Sequence, residues 1–283
     1  MATGTREWSG HSANCCLGCS HACVYCYARA AALRFGRIRR GRQWADEHPM
    51  TAAEIAADPK FSIGYRGIVM FPTAHDITPT NADACLAVLR RLLAAGNRVL
   101  LVTKPHRAIM PKILAAYAAS LHEVLVLDRA DRPRIPELEV RCSITCADEP
   151  VREEWEPGAP SIAERVHCLR YLRERGLRTS VSIEPCLQPD KAEQIVAVVE
   201  RLATGEIWIG KLRDLRRRIA WAFDPAGELA AEDRATLHEA AEWLESQQTD
   251  EKVLDLYRRL AAHPSVRWKD SVRAVLQRHG VTP

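Results

Sequence analysis

Cys19-Ser-His-Ala-Cys23-Val-Tyr-Cys26 is the stretch on which the reading of this chain turns. Three thiols in CxxxCxxC spacing on a tight loop can ligate three irons of a cubane [4Fe–4S] cluster and leave the fourth iron without a protein ligand. The same cysteines can instead hold structural zinc, with Cys15, Cys16, His11 or His21 as the fourth ligand. Zinc modules usually show two separated ligand pairs, and no second CxxC or HxxxH follows at a suitable distance. Spacing therefore favours the cluster and leaves zinc open.

The chain has 283 residues, 47% of them apolar, enough to bury a core in one large domain or two small ones. It has no run of about 18 apolar residues and no basic-then-apolar leader, which predicts a soluble, cytoplasmic protein with no membrane partner. Ten cysteines outside a secretory context point to metal or redox chemistry rather than a disulfide framework. The net charge of +4 does not by itself imply nucleic-acid binding. Its distribution is uneven: Arg34, Arg37, Arg39, Arg40 and Arg42 follow the cysteine loop, and Lys211–Arg218 is a second basic stretch. Basic groups suit a helix C-terminus, and they equally suit a polyanionic substrate.

Outward from the loop, Tyr27 opens a strongly helix-forming run. Short apolar runs at 67–71, 98–103, 139–145, 178–183 and 206–210 read as buried strands. Helical periods fall between them at 80–95, 108–120, 161–175 and 190–203. This rhythm predicts an α/β fold with a parallel sheet and right-handed crossovers, and one further strand can precede the loop. The pattern alone does not separate a partial barrel from a flat doubly wound sheet. From about residue 224 helix follows helix, at 228–245, 250–262 and 265–279, so the expected organisation is an α/β unit over 1–225 and a helical C-terminal extension over 226–283. Parallel α/β folds carry their chemistry where strands end. Polar residues gather there: His75 and Asp76, Lys104, Ser143, Thr145 and Cys146, then Glu184, Cys186 and Lys211.

Four pieces taken together, Asn14-Cys-Cys-Leu-Gly-Cys19, Cys26-Tyr-Ala28, Trp155-Glu-Pro-Gly-Ala-Pro-Ser-Ile-Ala-Glu-Arg165 and Ser182-Ile-Glu-Pro185, resemble the spore photoproduct lyase-like branch of the radical S-adenosylmethionine (SAM) superfamily, over roughly residues 5–215. The resemblance implies a partial (β/α)6 TIM barrel, a [4Fe–4S] cluster and SAM as cofactors, and a flavodoxin- or ferredoxin-type reductant. It implies an enzyme that cleaves SAM reductively to a 5′-deoxyadenosyl radical, which abstracts hydrogen from a substrate. Branch members include DNA-repair lyases, so the implied substrate is a thymine-type nucleobase in DNA or RNA, for repair or modification. A peptide or small metabolite is the alternative substrate, and a non-catalytic zinc-stabilised binding module is the alternative of another class.

Carried over residue by residue, Cys19, Cys23 and Cys26 ligate iron and Tyr25 lies beside the adenine. Asp76 takes the SAM amino group, and Lys104 and Ser143 make further SAM contacts through its carboxylate and ribose. Glu184 holds ribose hydroxyls or substrate, against a buried ion pair with Lys211 or Arg165; Arg165 otherwise reads as an exposed helix residue. The chain departs from the lyases at one point. Their hydrogen-donating cysteine precedes the SAM contacts, where this chain has Thr73, Ala74 and His75. Cys146 or Cys186 is then the candidate donor, against ordinary packing of a buried thiol, and His75 contacts substrate unless it is a satisfied turn histidine.

Overall fold

Each apolar run expected to be a strand is one in a computed structural model, which describes residues 3–126, 137–223 and 231–282. The strands are β1 (His11–Ser12), β2 (Cys16–Leu17), β3 (His48–Pro49), β4 (Ile68–Phe71), β5 (Arg98–Thr103), β6 (Glu137–Ser143), β7 (Arg178–Ile183), β8 (Ile207–Ile209) and β9 (Val266–Trp268). Seven of them form a single sheet in the order β1-β4-β5-β6-β7-β8-β9, and every neighbouring pair is parallel. The early strand is β1, and β2 and β3 form a separate antiparallel ribbon at the root of the cysteine loop.

The helices are α1 (Tyr27–Arg34), α2 (Ala52–Ala57), α3 (Ala82–Ala94), α4 (Met110–Val126), α5 (Glu149–Trp155), α6 (Ile162–Glu174), α7 (Ala192–Val199), α8 (Leu215–Phe223), α9 (Ala231–Ser246), α10 (Asp250–Leu260) and α11 (Asp270–Arg278). Helix α3 shows why they pack as they do: Leu86, Leu89, Leu92 and Leu93 are buried at helical spacing while Asp83 and Arg90 face solvent. The main core joins this face to strand residues such as Val140, Val181 and Ile207. Strands covered on both faces read as continuous apolar runs, which is why β4 to β8 were legible. A second, smaller core lies under the cysteine loop, where Cys23 and Tyr25 pack with Trp155, Leu212, Ile219 and Leu244.

The tail differs from expectation. The helix expected over 265–279 is strand β9 followed by α11. Pro264 disfavours helix before this point, and Val266-Arg-Trp268 alternates buried, exposed, buried as a strand does. Strand β9 pairs in parallel with β8 and so lengthens the sheet of the preceding α/β unit. The expected boundary at 225/226 lies outside the described residues. Among the described residues no helix is long and apolar enough to cross a membrane.

Candidate active site

Because all seven strands run the same way, their C-terminal ends share one edge of the sheet, and a cavity of about 640 Å³ lies there. Cys19, Cys23 and Cys26 line it from the loop, and Asp76, Lys104 and Ser143 from the ends of β4, β5 and β6. Ser182 and Glu184 follow at β7 and Lys211 after β8. Backbone contacts hold the loop in place. Cys19 N donates to Trp44 O at 2.7 Å, Cys26 N to Cys23 O at 3.1 Å, Val24 N to Trp155 O at 2.9 Å and Gly158 N to His21 O at 3.1 Å. Two glycines permit this closeness: a Cβ on Gly158 would stand 2.0 Å from Ser20 O, and one on Gly18, whose φ is +96°, 2.2 Å from Asp46 O. Cys26 caps α1, its sulfur accepting from Arg29 N at 3.5 Å, a donor that suits an anionic ligand sulfur.

The donor set can be tested against the two candidate groups. Tetrahedral zinc with Zn–S bonds of about 2.3 Å needs sulfurs about 3.8 Å apart. Among the described residues the one His/Cys/Asp/Glu group whose ligand atoms all lie within 4.8 Å of one another is Cys15, His75 and Cys85, so Cys19, Cys23 and Cys26 do not converge on a single small ion. None of the four candidate fourth ligands joins them. His11 binds Arg66 O at 3.0 Å, Cys16 faces Leu17 O, and Cys15 and His21 turn to partners of their own. Burial, reinforced by neighbouring negative groups, pushes the Cys19 thiol well up; burial, against the pull of Lys104, pushes Cys23 up to about 12. Two buried thiolates, Cys19 and Cys23, beside the partly buried Cys26 need compensating positive charge, and a cluster of several irons supplies it across the wider spacing. The residues fit a cubane better than a mononuclear zinc.

Two carboxylates organise the wall. Asp76 accepts from Ile77 N at 2.8 Å, from Lys104 N at 2.9 Å and from the Thr103 hydroxyl, and its Oδ2 lies 3.2 Å from His21 Nδ1. Burial alone would raise its carboxyl, but His21, Lys104 and Thr103 together hold it well below the usual carboxylate range. Glu156 is fully buried and meets four partners: Arg165, the Tyr25 hydroxyl, Thr145 Oγ1 at 2.7 Å and Lys104 Nζ at 3.6 Å. Burial opposes its ionisation, and Lys104 and Arg165 outweigh burial, leaving the carboxyl at about 2.

Several expectations change at this point. Arg165 is neither exposed nor paired with Glu184; it is 0% exposed and bound to Glu156. Glu184 pairs with Lys269 at 3.6 Å, and Lys211 with Asp250 at 3.3 Å. Lys269, itself fully buried, also reaches Glu7 at 3.0 Å and covers the Trp8 ring. Burial raises the Glu184 carboxyl despite Lys269. Tyr25 lines the cavity with its hydroxyl committed to Glu156, and Ser143 Oγ shares a hydrogen bond with Ser182 Oγ at 3.0 Å. His75 lines the cavity from the turn after β4, with Nδ1 3.0 Å from Asp76 O and Nε2 accepting from Cys15 N at 3.1 Å. Cys146 and Cys186 are 0% and 1% exposed and pack in the two cores, and neither lines the cavity, so the donor reading for both gives way to packing. The cavity's thiols are those of Cys19, Cys23 and Cys26. Asn14 pins the Thr73–Ala74 turn, its Oδ1 accepting from both backbone N–H groups at 2.8 and 2.7 Å.

Sequence reasoning missed His21 and Lys269 as parts of this wall, and Glu156 and Glu7 as the carboxylates behind it. Glu156 had a signal, since it sits inside the Trp155–Arg165 motif as a carboxylate beside tryptophan and Pro-Gly. Lys269, 85 residues beyond Glu184, had none.

No protein-family model matches the chain. It is 25% identical over 200 residues to the uncharacterized protein ORF301 of Acidianus two-tailed virus, a match that covers 68% of this chain and 61% of that protein, so the chain spans about three fifths of that relative's length. Among solved structures, a cysteine-to-alanine variant of spore photoproduct lyase with dinucleoside spore photoproduct superposes with a TM-score of 0.51 at 13% identity, covering 94% of this chain and 78% of that one. A tyrosine-to-phenylalanine variant of the same lyase gives 0.52 at 14% identity, with the same coverage. At such identities the likeness is one of fold, and in fold this chain is similar to spore photoproduct lyase, as the motifs around Cys19, Trp155 and Glu184 predict.

Proposed function

We propose that the chain is a radical SAM enzyme acting on a nucleobase in DNA or RNA. The observation that carries the reading is that Cys19, Cys23 and Cys26 line the same cavity as Asp76, Lys104, Ser143 and Glu184, which come from successive strand ends. When bound, a [4Fe–4S] cluster with SAM on its open iron supplies reductive cleavage of SAM to a 5′-deoxyadenosyl radical. The chain's own residues bind and orient. Asp76 offers a carboxylate to the SAM ammonium, Lys104 an ammonium to its carboxylate, and Ser143 with Ser182 hydroxyls to its ribose. The Tyr25 ring walls the adenine side. The cavity's apolar flank, including Met70, Val102 and Leu212, excludes water and stray hydrogen donors.

Support for a nucleic-acid substrate comes from the basic stretches. Helix α8 packs on α1 and on the 3-10 turn Gly41–Ala45, which brings Lys211–Arg218 to the same side as the exposed Arg34, Arg37 and Arg39. The ion pairs of Arg216 and Arg217 are largely solvent-exposed, and pairs of that kind exchange readily for phosphates. The dinucleoside lesion carried by the lyase of like fold points the same way. The test is anaerobic reconstitution with iron and sulfide, then 5′-deoxyadenosine formation from SAM and dithionite with and without DNA or RNA. Stimulation by nucleic acid that fades steeply between low and moderate salt is expected. Stimulation by a peptide or metabolite alone would overturn the substrate, and a Cys19 loop that holds zinc and no iron would overturn the enzyme.

A further inference from the structure

Against the cavity wall a second set of soft ligands comes together. Cys15, just after β1, has its sulfur 3.7 Å from that of Cys85 on α3 and 4.0 Å from Nε2 of His75 in the turn after β4. All three ligand atoms lie within 4.8 Å of one another. Cys15 and Cys85 are each 1% exposed and His75 is 9% exposed. His75 lines the cavity and neither sulfur does, so the group sits against the cavity from outside and shares no ligand with the Cys19–Cys26 loop.

We propose that Cys15, Cys85 and His75 bind a structural zinc ion. The spacing suits it. A tetrahedral ion with Zn–S of about 2.3 Å and Zn–N of about 2.0 Å sets S···S near 3.8 Å and S···N near 3.5 Å, so the sulfurs already stand at the required separation and the ring nitrogen lies within about half an ångström of its required distance from Cys15. The imidazole is prepared for the role. Its Nδ1 donates to Asp76 O at 3.0 Å, which fixes the tautomer with the Nε2 lone pair turned to the sulfurs, the outer-shell bond that zinc-ligating histidines use. In the metal-free arrangement that lone pair accepts from Cys15 N at 3.1 Å. The fourth position falls toward Asn81, whose Oδ1 is 3.2 Å from the Cys85 sulfur.

Charge accounts for so buried a site. Zinc displaces one proton from each thiol, and Zn²⁺ with two thiolates and a neutral imidazole has no net charge, the form an apolar core tolerates. The consequence is positional. The ion would tie the strand leading into the cysteine loop to α3 and to the turn that carries Asp76, fixing one wall of the cavity to another.

The full chain, purified and given Zn(II), is assayed for metal after gel filtration. About one zinc per chain is expected in addition to any iron. Cys15→Ser and Cys85→Ser should each lower zinc about tenfold while iron on the Cys19 loop remains. The triple variant Cys19→Ala/Cys23→Ala/Cys26→Ala should lose iron and keep zinc. Zinc below about a tenth per chain, or zinc that survives both serine substitutions, would overturn the site. Should the serine variants fail to fold, zinc-edge X-ray absorption on the unsubstituted chain decides: a shell of two sulfurs and an imidazole nitrogen supports the site, and any other shell refutes it.

Discussion

Replacing Arg165 with methionine removes the closest cation from a carboxylate that has no access to water. Both side chains are 0% exposed. Methionine fills much of the arginine's volume, so the loss is chiefly electrostatic, with two hydrogen bonds added: the guanidinium also donates to Pro160 O at 2.9 Å and to Ser143 O at 3.4 Å. Breaking one partner of a buried pair costs about 3–5 kcal/mol, which for a chain of this size lowers the unfolding midpoint by roughly 5–8 °C. The pH dependence gives an independent handle. The Glu156 carboxyl sits at about 2 instead of 4.5, burial being outweighed by Lys104 and Arg165. A carboxyl so depressed contributes about 3 kcal/mol, present above the unfolded value near 4.5 and lost as pH falls toward 2. Without Arg165 that carboxyl moves up, and the variant loses the acid-side slope. Urea unfolding of the metal-free chain at pH 7 and at pH 3 is therefore expected to show a parent-to-variant gap that narrows in acid. The double variant Glu156→Gln/Arg165→Met should recover more than half of the loss at pH 7. A gap under about 1 kcal/mol at pH 7, or a double variant as unstable as the two single changes summed, would refute the reasoning.

Three further outcomes follow from the same geometry. Gly158→Ala sets a Cβ 2.0 Å from Ser20 O, so the cysteine loop must move, and iron per chain after reconstitution should fall several-fold while far-UV circular dichroism stays unchanged. Asp76→Asn removes the carboxylate offered to the SAM ammonium, and SAM binding by equilibrium dialysis should weaken about 10- to 100-fold. The Asp76 carboxyl is held below its usual range, so its contribution to stability is present above about pH 4 and fades at lower pH; the asparagine variant should lack that fade. Cys146→Ser and Cys186→Ser, neither of which lines the cavity, should leave the reaction products unchanged in chromatography and cost only stability; a changed product from either would restore it as a hydrogen donor.

The sheet was legible because its strands are buried on both faces and so stand out as apolar runs, as in Arg98-Val-Leu-Leu-Val-Thr103. Strand β9 was hidden because three residues between Pro264 and the helical period of α11 carry too little pattern to register, and its reason for being a strand is the open edge of β8, a tertiary fact. The cavity residues at strand ends could be read from topology, since a parallel sheet puts those ends together whatever the sequence between them. Their partners could not. Glu184 looked toward Lys211 or Arg165 by residue type, and it finds Lys269 because β9 lies next to β8 and delivers the lysine that follows it. The cysteines of the core fell to the same limit, since Cys85 alone on an amphipathic helix is a packing residue until Cys15 and His75 are found against it.

Glu156 explains what the Trp155–Arg165 motif does for a loop some 130 residues earlier in the chain. Its backbone neighbourhood grips the loop through Trp155 O and Gly158 N, and its carboxylate gathers one group from each of four places: Tyr25 of the loop, Lys104 after β5, Thr145 after β6 and Arg165 on α6. A buried carboxylate is tolerable only when these partners are all present, because each one lost leaves desolvated charge behind. Loop, two strand ends and helix are therefore satisfied together or not at all. The same arrangement, with Cys23 and Asp76, keeps Lys104 ionised against burial, its Nζ 5.8 Å from the centroid of the Tyr25 ring in the cavity lining. The motif thus acts on the cavity by positioning the groups that face it, while Glu156 and Arg165 themselves stay behind the wall.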